Sequence, residues 1–301
     1  MGGNPHASLL MGTNAHGAVA SEVRNVVDKI VVREFQAVLM SLHAYFFNSP
    51  DDLRAKAFVD HMLSPSKTPI EETILQTYAK YMADHLVKPT LAGMKLLVYV
   101  LEGHSDGKHL PNGAAQRRRD ARMKEYQEAK DGVEGADYRK CIGVPDCAVT
   151  AVIAEVNSRT TKCVVSFVVP PGEADPFLAE MSKDPETVVC VDSNDGDIGT
   201  LFFHPKDQAI LHYDCAWEVP PVGSTSKRVT LHSKITTPAQ LFSMKTISIS
   251  KTKEIQIDFS KWDKLKMVAF CLAVSTNGDY MKGMYNSCFC IFIVNGTYVP
   301  T

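Results

Sequence analysis

The sequence predicts an α+β protein in which a helical N-terminal region precedes an antiparallel β-sandwich of the jelly-roll type. In the first hundred residues, apolar side chains recur every three or four positions, which is typical of amphipathic helices. Beyond residue 140 the period shortens to two, which is typical of strands buried on one face. The predicted organisation is a flexible arm over 1–20, helices over 21–130, a linker over 131–140 and the sandwich over 141–301.

The helical region begins with four predicted amphipathic helices. Ser49 and Thr68 are predicted to cap the second and third, because each is followed by a proline at the first helical position. Gly103 is expected to end the fourth helix. The four predicted helices cover 21–46, 50–63, 69–88 and 91–101.

A fifth predicted helix, Ala114–Lys130, carries a basic cluster in its first half. The members of the cluster are Arg117, Arg118, Arg119, Arg122 and Lys124. Such a cluster can neutralise the phosphates of a nucleic acid. It also fits a solvent-facing helix on which Asp120 and Glu125 are local ion-pair partners. No aromatic residue interleaves with the arginines, so stacking on bases is not indicated.

The second half reads as a series of short strands separated by turns, with one helical turn near 175–181. We interpret the series as antiparallel because a parallel sheet needs helical crossovers, and the pattern leaves no room for them. The predicted strands cover 148–156, 163–169, 187–191, 198–203, 210–219, 228–235, 246–250, 254–259, 265–274 and 288–294.

The strand over 210–219 shows the clearest alternation. Tyr213 and Trp217 fall on its apolar face, His212, Asp214 and Glu218 on the other, and a pair of prolines ends it. We expect this strand to be scaffold rather than active site.

One acidic segment is a candidate cation site. Asp192, Asn194, Asp195 and Asp197 place hard oxygen ligands close together, as Ca²⁺ prefers, but not in an EF-hand register. A hairpin turn rich in Asp, Asn and Gly explains the same residues.

Composition excludes several classes of protein. The net charge of −2 gives no global attraction to nucleic acid or membrane. The N-terminal residues do not form a signal peptide, and no apolar run is long enough to span a membrane. The eight cysteines show no zinc spacing and fit a reducing, cytoplasmic setting. The common hydrolase, P-loop and dinucleotide motifs do not occur.

The run AILHYDCAWEVP over 209–220 is similar to the long strand of single-jelly-roll capsid proteins of small RNA viruses. The resemblance implies a self-associating coat protein of a virion, with RNA as a partner and Ca²⁺ between subunits. One departure is that residues 1–30 contain only Arg24 and Lys29, whereas such coats carry a strongly basic arm.

The leading hypothesis is therefore a structural protein that assembles with itself and is not an enzyme, in the cytoplasm or a virion. One alternative is an RNA-binding or movement-type protein that uses the basic helix over 117–124. Another is a hydrolase or transferase with its site between the two halves.

Overall fold

The computed structural model describes residues 20–24, 26–49, 52–64, 66–103, 114–181, 188–192, 211–218, 230–236, 246–250 and 253–256. Over these residues, strands and helices alternate around one mixed sheet. The strands of the sheet are β1 (Ala20–Arg24), β2 (Ile30–Glu34), β3 (Leu96–Val100), β4 (Val164–Val168), β5 (Val188–Asp192), β6 (Leu211–Glu218) and β7 (Thr230–Thr236). A separate hairpin consists of β8 (Thr246–Ser250) and β9 (Lys253–Gln256).

Seven α-helices are described, and a short 3₁₀ helix, Lys88–Ala92, follows the third. They are α1 (Phe35–Phe46), α2 (Leu53–Leu63), α3 (Glu72–Val87), α4 (Ala114–Lys130), α5 (Tyr138–Cys141), α6 (Asp146–Ser158) and α7 (Ala174–Met181).

The sheet is largely parallel. Its strand order is β1-β7-β6-β5-β2-β3-β4. Five adjacent strands run parallel to one another, in the order β4, β3, β2, β5 and β6. At the other side, β7 is antiparallel to β6, and β1 is antiparallel to β7. Strands buried on both faces carry continuous apolar runs, which is why β2 and β3 read IVV and LLVYV.

Helix α3 provides much of the described core. Tyr78, Met82 and Leu86 recur every four residues and are fully buried. The Tyr99 hydroxyl of β3 donates a hydrogen bond to the Leu86 carbonyl oxygen at 2.7 Å, which ties the end of α3 to the sheet. Helix α6 packs alongside α3.

The predicted antiparallel sandwich is therefore wrong. The first predicted helix, 21–46, is in fact two strands followed by α1. Its valines and Ile30 fit a helical stripe and a buried strand equally well. The pairing of β2 with β3 and β5 stabilises the strand instead of the helix. The fourth predicted helix, 91–101, contains the end of the 3₁₀ helix and then β3, for the same reason.

The predicted strand over 148–156 is also wrong, because it lies in α6. Ala148, Val152 and Val156 are buried at a spacing of four residues, which is a helical period. With α6 before β4 and α7 before β5, the chain has the helical connections that parallel strands require. The second half therefore does contain crossover helices, contrary to the prediction.

Other elements match their predictions. Helix α4 has the predicted bounds, and β4 to β9 begin and end within a few residues of predicted strands. Two caps differ: the Asp52 side chain, not Ser49, accepts the Arg54 N–H at 2.9 Å, and Glu71 rather than Thr68 precedes α3. The predicted strands over 198–203, 265–274 and 288–294, and the arm over 1–19, lie outside the described residues.

The linker predicted over 131–140 comprises the turn after α4 and most of α5, and strands from both sides of it enter the same sheet. None of the described helices is both long and apolar enough to cross a membrane.

His43 is a buried histidine of the core, and its protonation makes the stability of the fold depend on pH. It is 6% exposed between α1 and α3, where its Nε2 atom lies 2.7 Å from the Tyr78 hydroxyl and its Nδ1 atom has no hydrogen-bond partner among the described residues. Burial lowers the pKa of His43 to about 4. Between pH 6.5 and 4 the unfolded chain therefore binds a proton that the folded chain does not, so stability falls as the pH falls.

We expect the free energy of unfolding to drop by about 2 kcal/mol between pH 7 and 5 through this residue. Urea unfolding at the two pH values measures the drop. His43→Gln should reduce the pH dependence by that amount, and an equal drop in the variant would contradict the assignment.

Candidate active site

The parallel part of the sheet has a topological switch point between β2 and β5. From β2 the chain continues to β3 and β4 on one side, and then returns to β5 on the other side of β2. In open parallel sheets, ligands bind in the crevice at the carboxyl ends of the strands where the order reverses. This crevice is the place where the topology favours a functional site.

Acidic residues end the strands on both sides of the switch point. Glu34 is the last residue of β2, and Asp192 is the last residue of β5. The two strands are in register there, because Arg33 is paired with Asp192. The structure therefore brings two carboxylate-bearing positions, far apart in sequence, to adjacent strand ends.

Glu102 and Glu173 extend the acidic edge to β3 and β4. The backbone beyond β3 lies directly against the end of β4: the Leu101 N–H donates to the Val168 carbonyl at 2.8 Å. A Cβ atom on Gly103 would lie 2.0 Å from the Gly172 carbonyl oxygen and 2.2 Å from that of Pro170. Only glycine permits this approach, which sets the residues flanking the contact, Glu102 and Glu173, on one edge of the sheet.

Asp175 completes the acidic edge from the first turn of α7. It is 8% exposed, and α7 packs on β2 and β5, the two strands of the switch point. Glu34 immediately precedes α1, and its side chain does not cap that helix. The amino ends of α1 and α7 thus lie at the same edge and add partial positive charge to it. We call Glu34, Glu102, Glu173, Asp175 and Asp192 the carboxylate edge.

One buried cation belongs to the same region. Arg33 is 7% exposed, and its guanidinium carbon lies 6.0 Å from the centre of the Tyr99 ring on β3. Its backbone is paired with Tyr99 on one side and with Asp192 on the other. A buried charge of this kind is retained only where it has partners, so it marks a polar spot within an apolar sheet.

The carboxylate edge offers hard oxygen ligands of the kind that Mg²⁺ and Ca²⁺ prefer. Within the described residues, however, no three His, Cys, Asp or Glu side chains are close enough to hold a metal ion. Of the predicted Ca²⁺ ligands, the backbone of Asp192 is described. Asn194, Asp195 and Asp197 lie outside the described residues, so that prediction is untested.

The basic cluster lies on α4 as predicted. Arg118, Arg119 and Lys124 are exposed, whereas Arg122 is half-buried. Burial, and then the neighbouring Arg118, lower the pKa of Arg122. The side chain of Arg117 is outside the described residues.

The predicted local partners of the arginines bond elsewhere. The Asp120 carboxylate accepts a hydrogen bond from Gln116 at 2.7 Å, and Glu125 pairs with Lys140 at 3.2 Å. Lys124 pairs with Glu128 at 3.7 Å. Nucleic-acid binding by the cluster remains a prediction.

The second half of α4 is attached to α2. The Tyr126 hydroxyl donates to the Asp60 carboxylate at 2.5 Å, and Lys56 pairs with the same carboxylate at 2.6 Å. The hydrogen bond to Asp60, together with burial, raises the pKa of Tyr126 to about 12. These contacts attach the second half of α4 to α2. The basic first half of α4 lies N-terminal to the attachment.

The sequence reasoning missed four members of the carboxylate edge. A usable signal was present, because each acidic residue follows an apolar run within a few positions: IVVRE, LLVYVLE, FVVPPGEAD and VVCVD. Two of those runs were assigned to helices, and so their acidic ends had no common edge. Recognising parallel strands was the missing step.

No family model matches the chain, and no curated protein matches it. Among solved structures, it is similar to the catalytic core of Rad2 in complex with a DNA substrate, with a TM-score of 0.40 and 10% identity. The match covers 88% of this chain and 60% of that chain, so this chain spans about three-fifths of its length.

The topology of the sheet corrects the capsid interpretation. The second half is part of a parallel α/β sheet and not a jelly roll, and the strand over 210–219 is β6 within that sheet. The predictions of a virion location and of a non-enzymatic protein depended on the jelly roll and lose their basis with it. Self-association stays a prediction.

Proposed function

We propose that this protein is a hydrolase that cleaves phosphodiester bonds in nucleic acid at the carboxylate edge. One observation carries the proposal. Five acidic residues from four segments of the chain lie at or just beyond the carboxyl ends of β2 to β5, at the switch point where parallel sheets bind ligands.

The residue types suit a reaction that uses a divalent cation. No three of the described carboxylates lie close enough together to hold it, so at most two of them would be ligands. Asn194, Asp195 and Asp197, in the segment after β5, would supply further oxygen ligands. A bound Mg²⁺ supplies Lewis-acid polarisation of the phosphate and a water molecule of lowered pKa.

Backbone N–H groups of the chain would orient the phosphate. The first N–H groups of α1 and α7 point out of the carboxylate edge, and helix amino ends bind anions through these groups. Arg33 offsets part of the carboxylate charge beside β5. With a cation bound, these N–H groups would hold a phosphodiester at the carboxylate edge, and a carboxylate of that edge would accept the proton of the attacking water.

The basic first half of α4 is the proposed contact for the rest of the polymer. It begins 12 residues after Glu102, the member of the carboxylate edge that follows β3. Arginines that neutralise phosphates give sequence-independent affinity. This arrangement favours a nucleic acid over a small phosphate ester as the substrate.

The direct test is cleavage of labelled single- and double-stranded DNA and RNA by the purified chain. We expect cleavage in Mg²⁺ or Mn²⁺ and none in EDTA, with recovery when Mg²⁺ is restored. Absence of cleavage of all four substrates with both metals would overturn the proposal.

Neutralising the arginines of α4 should weaken binding of nucleic acid. In a variant with Arg118→Gln, Arg119→Gln and Arg122→Gln, we expect the slope of log K against log salt to fall by about one for each phosphate that the variant no longer neutralises. Binding measured in EDTA separates this effect from cleavage.

A matched control removes three exposed lysines from another face: Lys67→Gln, Lys80→Gln and Lys88→Gln. It changes the net charge equally. Equal salt slopes in the two variants would show that α4 is not the contact.

A further inference from the structure

A second chemically competent site lies between α2 and α6. The Cys147 Sγ atom is 3.5 Å from the His61 Nε2 atom, and the His61 Nδ1 atom is 2.9 Å from the Thr68 carbonyl oxygen. Both Cys147 and His61 are half-buried, so a small molecule has access to them. The proposed hydrolysis at the carboxylate edge makes no use of either residue.

The Thr68 carbonyl fixes the tautomer of His61. A carbonyl oxygen only accepts hydrogen bonds, so in neutral His61 the proton is on Nδ1. The Nε2 atom then presents its lone pair to the thiol, and the Cys147 S–H donates to it. This order, with thiol, imidazole and an orienting oxygen in line, is the arrangement that activates nucleophilic cysteines.

The backbone around Cys147 favours negative charge on its sulfur. Cys147 is the second residue of α6, a helix of 13 residues. Burial and the neighbouring Asp146 carboxylate raise the pKa of the thiol, and the nearby backbone N–H groups of Ala148 and Cys147 offset part of that rise. The resting form is thus a thiol bonded to His61, and a thiolate formed during reaction has a helix amino end beside it.

We propose that Cys147 is a site of thiol–disulfide exchange, with His61 as its general base and a low-molecular-weight disulfide such as oxidised glutathione as the reactant. His61 accepts the thiol proton, and the sulfur of Cys147 attacks one sulfur of the disulfide. The S–S bond of the reactant breaks as the new one forms. The departing thiolate takes the proton from the imidazolium, so that a mixed disulfide and one free thiol result.

Two other cysteines in the chain serve as internal references. Cys163 is half-buried like Cys147, but none of its described contacts is to a histidine. Cys141 is 1% exposed, and burial is the main cause that raises its pKa to about 11. Reactivity that followed exposure alone would be similar at Cys147 and Cys163.

The test is the rate at which oxidised glutathione modifies each cysteine of the full chain, read by peptide mass spectrometry. We expect Cys147 to react about tenfold or more faster than Cys163 in the folded protein, and at a similar rate in concentrated urea. His61→Gln should slow Cys147 by about tenfold or more and leave Cys163 unchanged. Cys147→Ser should remove only that adduct.

The comparison of folded with urea-unfolded wild-type protein keeps the test valid if His61→Gln fails to fold. Equal rates at Cys147 and Cys163 in the folded protein would overturn the proposal. So would a folded His61→Gln variant in which Cys147 reacts at the wild-type rate.

Discussion

Glu34→Gln and Asp175→Asn are each expected to reduce phosphodiester cleavage by about 100-fold or more. Each change removes one negative charge from the carboxylate edge while keeping the shape of the side chain. Because Glu34 ends β2 and Asp175 lies in the first turn of α7, which packs on β2, the two residues act on the same region from different elements. Initial rates under saturating Mg²⁺ measure the effect.

Folding and metal affinity need to be separated from the loss of cleavage. Glu134→Gln, on an exposed turn after α4, is the matched control and should leave the rate unchanged. Titration with Mg²⁺ should show a weaker apparent affinity in Glu34→Gln. Wild-type rates in both edge variants would place the chemistry elsewhere.

Gly103→Ala is the second change for which we expect a large effect. The added methyl group would lie 2.0 Å from the Gly172 carbonyl oxygen, so the backbone after β3 or the loop after β4 has to move. Overpacking of this kind costs about 2 kcal/mol. Since Glu102 and Glu173 adjoin the contact, cleavage should fall further than stability alone explains.

Gly172→Ala provides the comparison, because a Cβ atom there meets no atom within 4 Å. It changes the same loop without closing the gap to Gly103. Chemical denaturation and cleavage rates of the two variants, measured side by side, test the argument. Equal behaviour of the two would show that the close approach does not position the carboxylates.

The local pattern of apolar residues is sufficient to predict the helices and strands whose period is unambiguous. Helix α4 has the predicted bounds, and β6, Leu211–Glu218, lies within the predicted strand over 210–219. The failures share a physical cause. Valine-rich runs such as IVV in β2 and AVTAVIAEV in α6 fit both periods over their short length, and long-range pairing or packing decides between them.

The site was less predictable than its elements, because it depends on strand order. Asp192 was singled out for its acidic neighbours, whereas Glu34 and Asp175 were treated as parts of helices. Nothing local marks Glu34 as a partner of Asp192; their proximity follows from the pairing of β2 with β5. The register between distant strands depends on tertiary contacts, and the local pattern of a single sequence does not reveal which strands pair.

The position of β2 also has a consequence for how the protein folds. Val31 pairs with Leu97 on one side and with Cys190 on the other, a residue 159 positions later. Contacts that close such long loops form slowly, because the chain gives up loop entropy before the pairing compensates for it. During synthesis, β2, β3 and β4 are available well before β5 emerges. The carboxylate edge is therefore completed late, and refolding should restore helix content well before it restores cleavage.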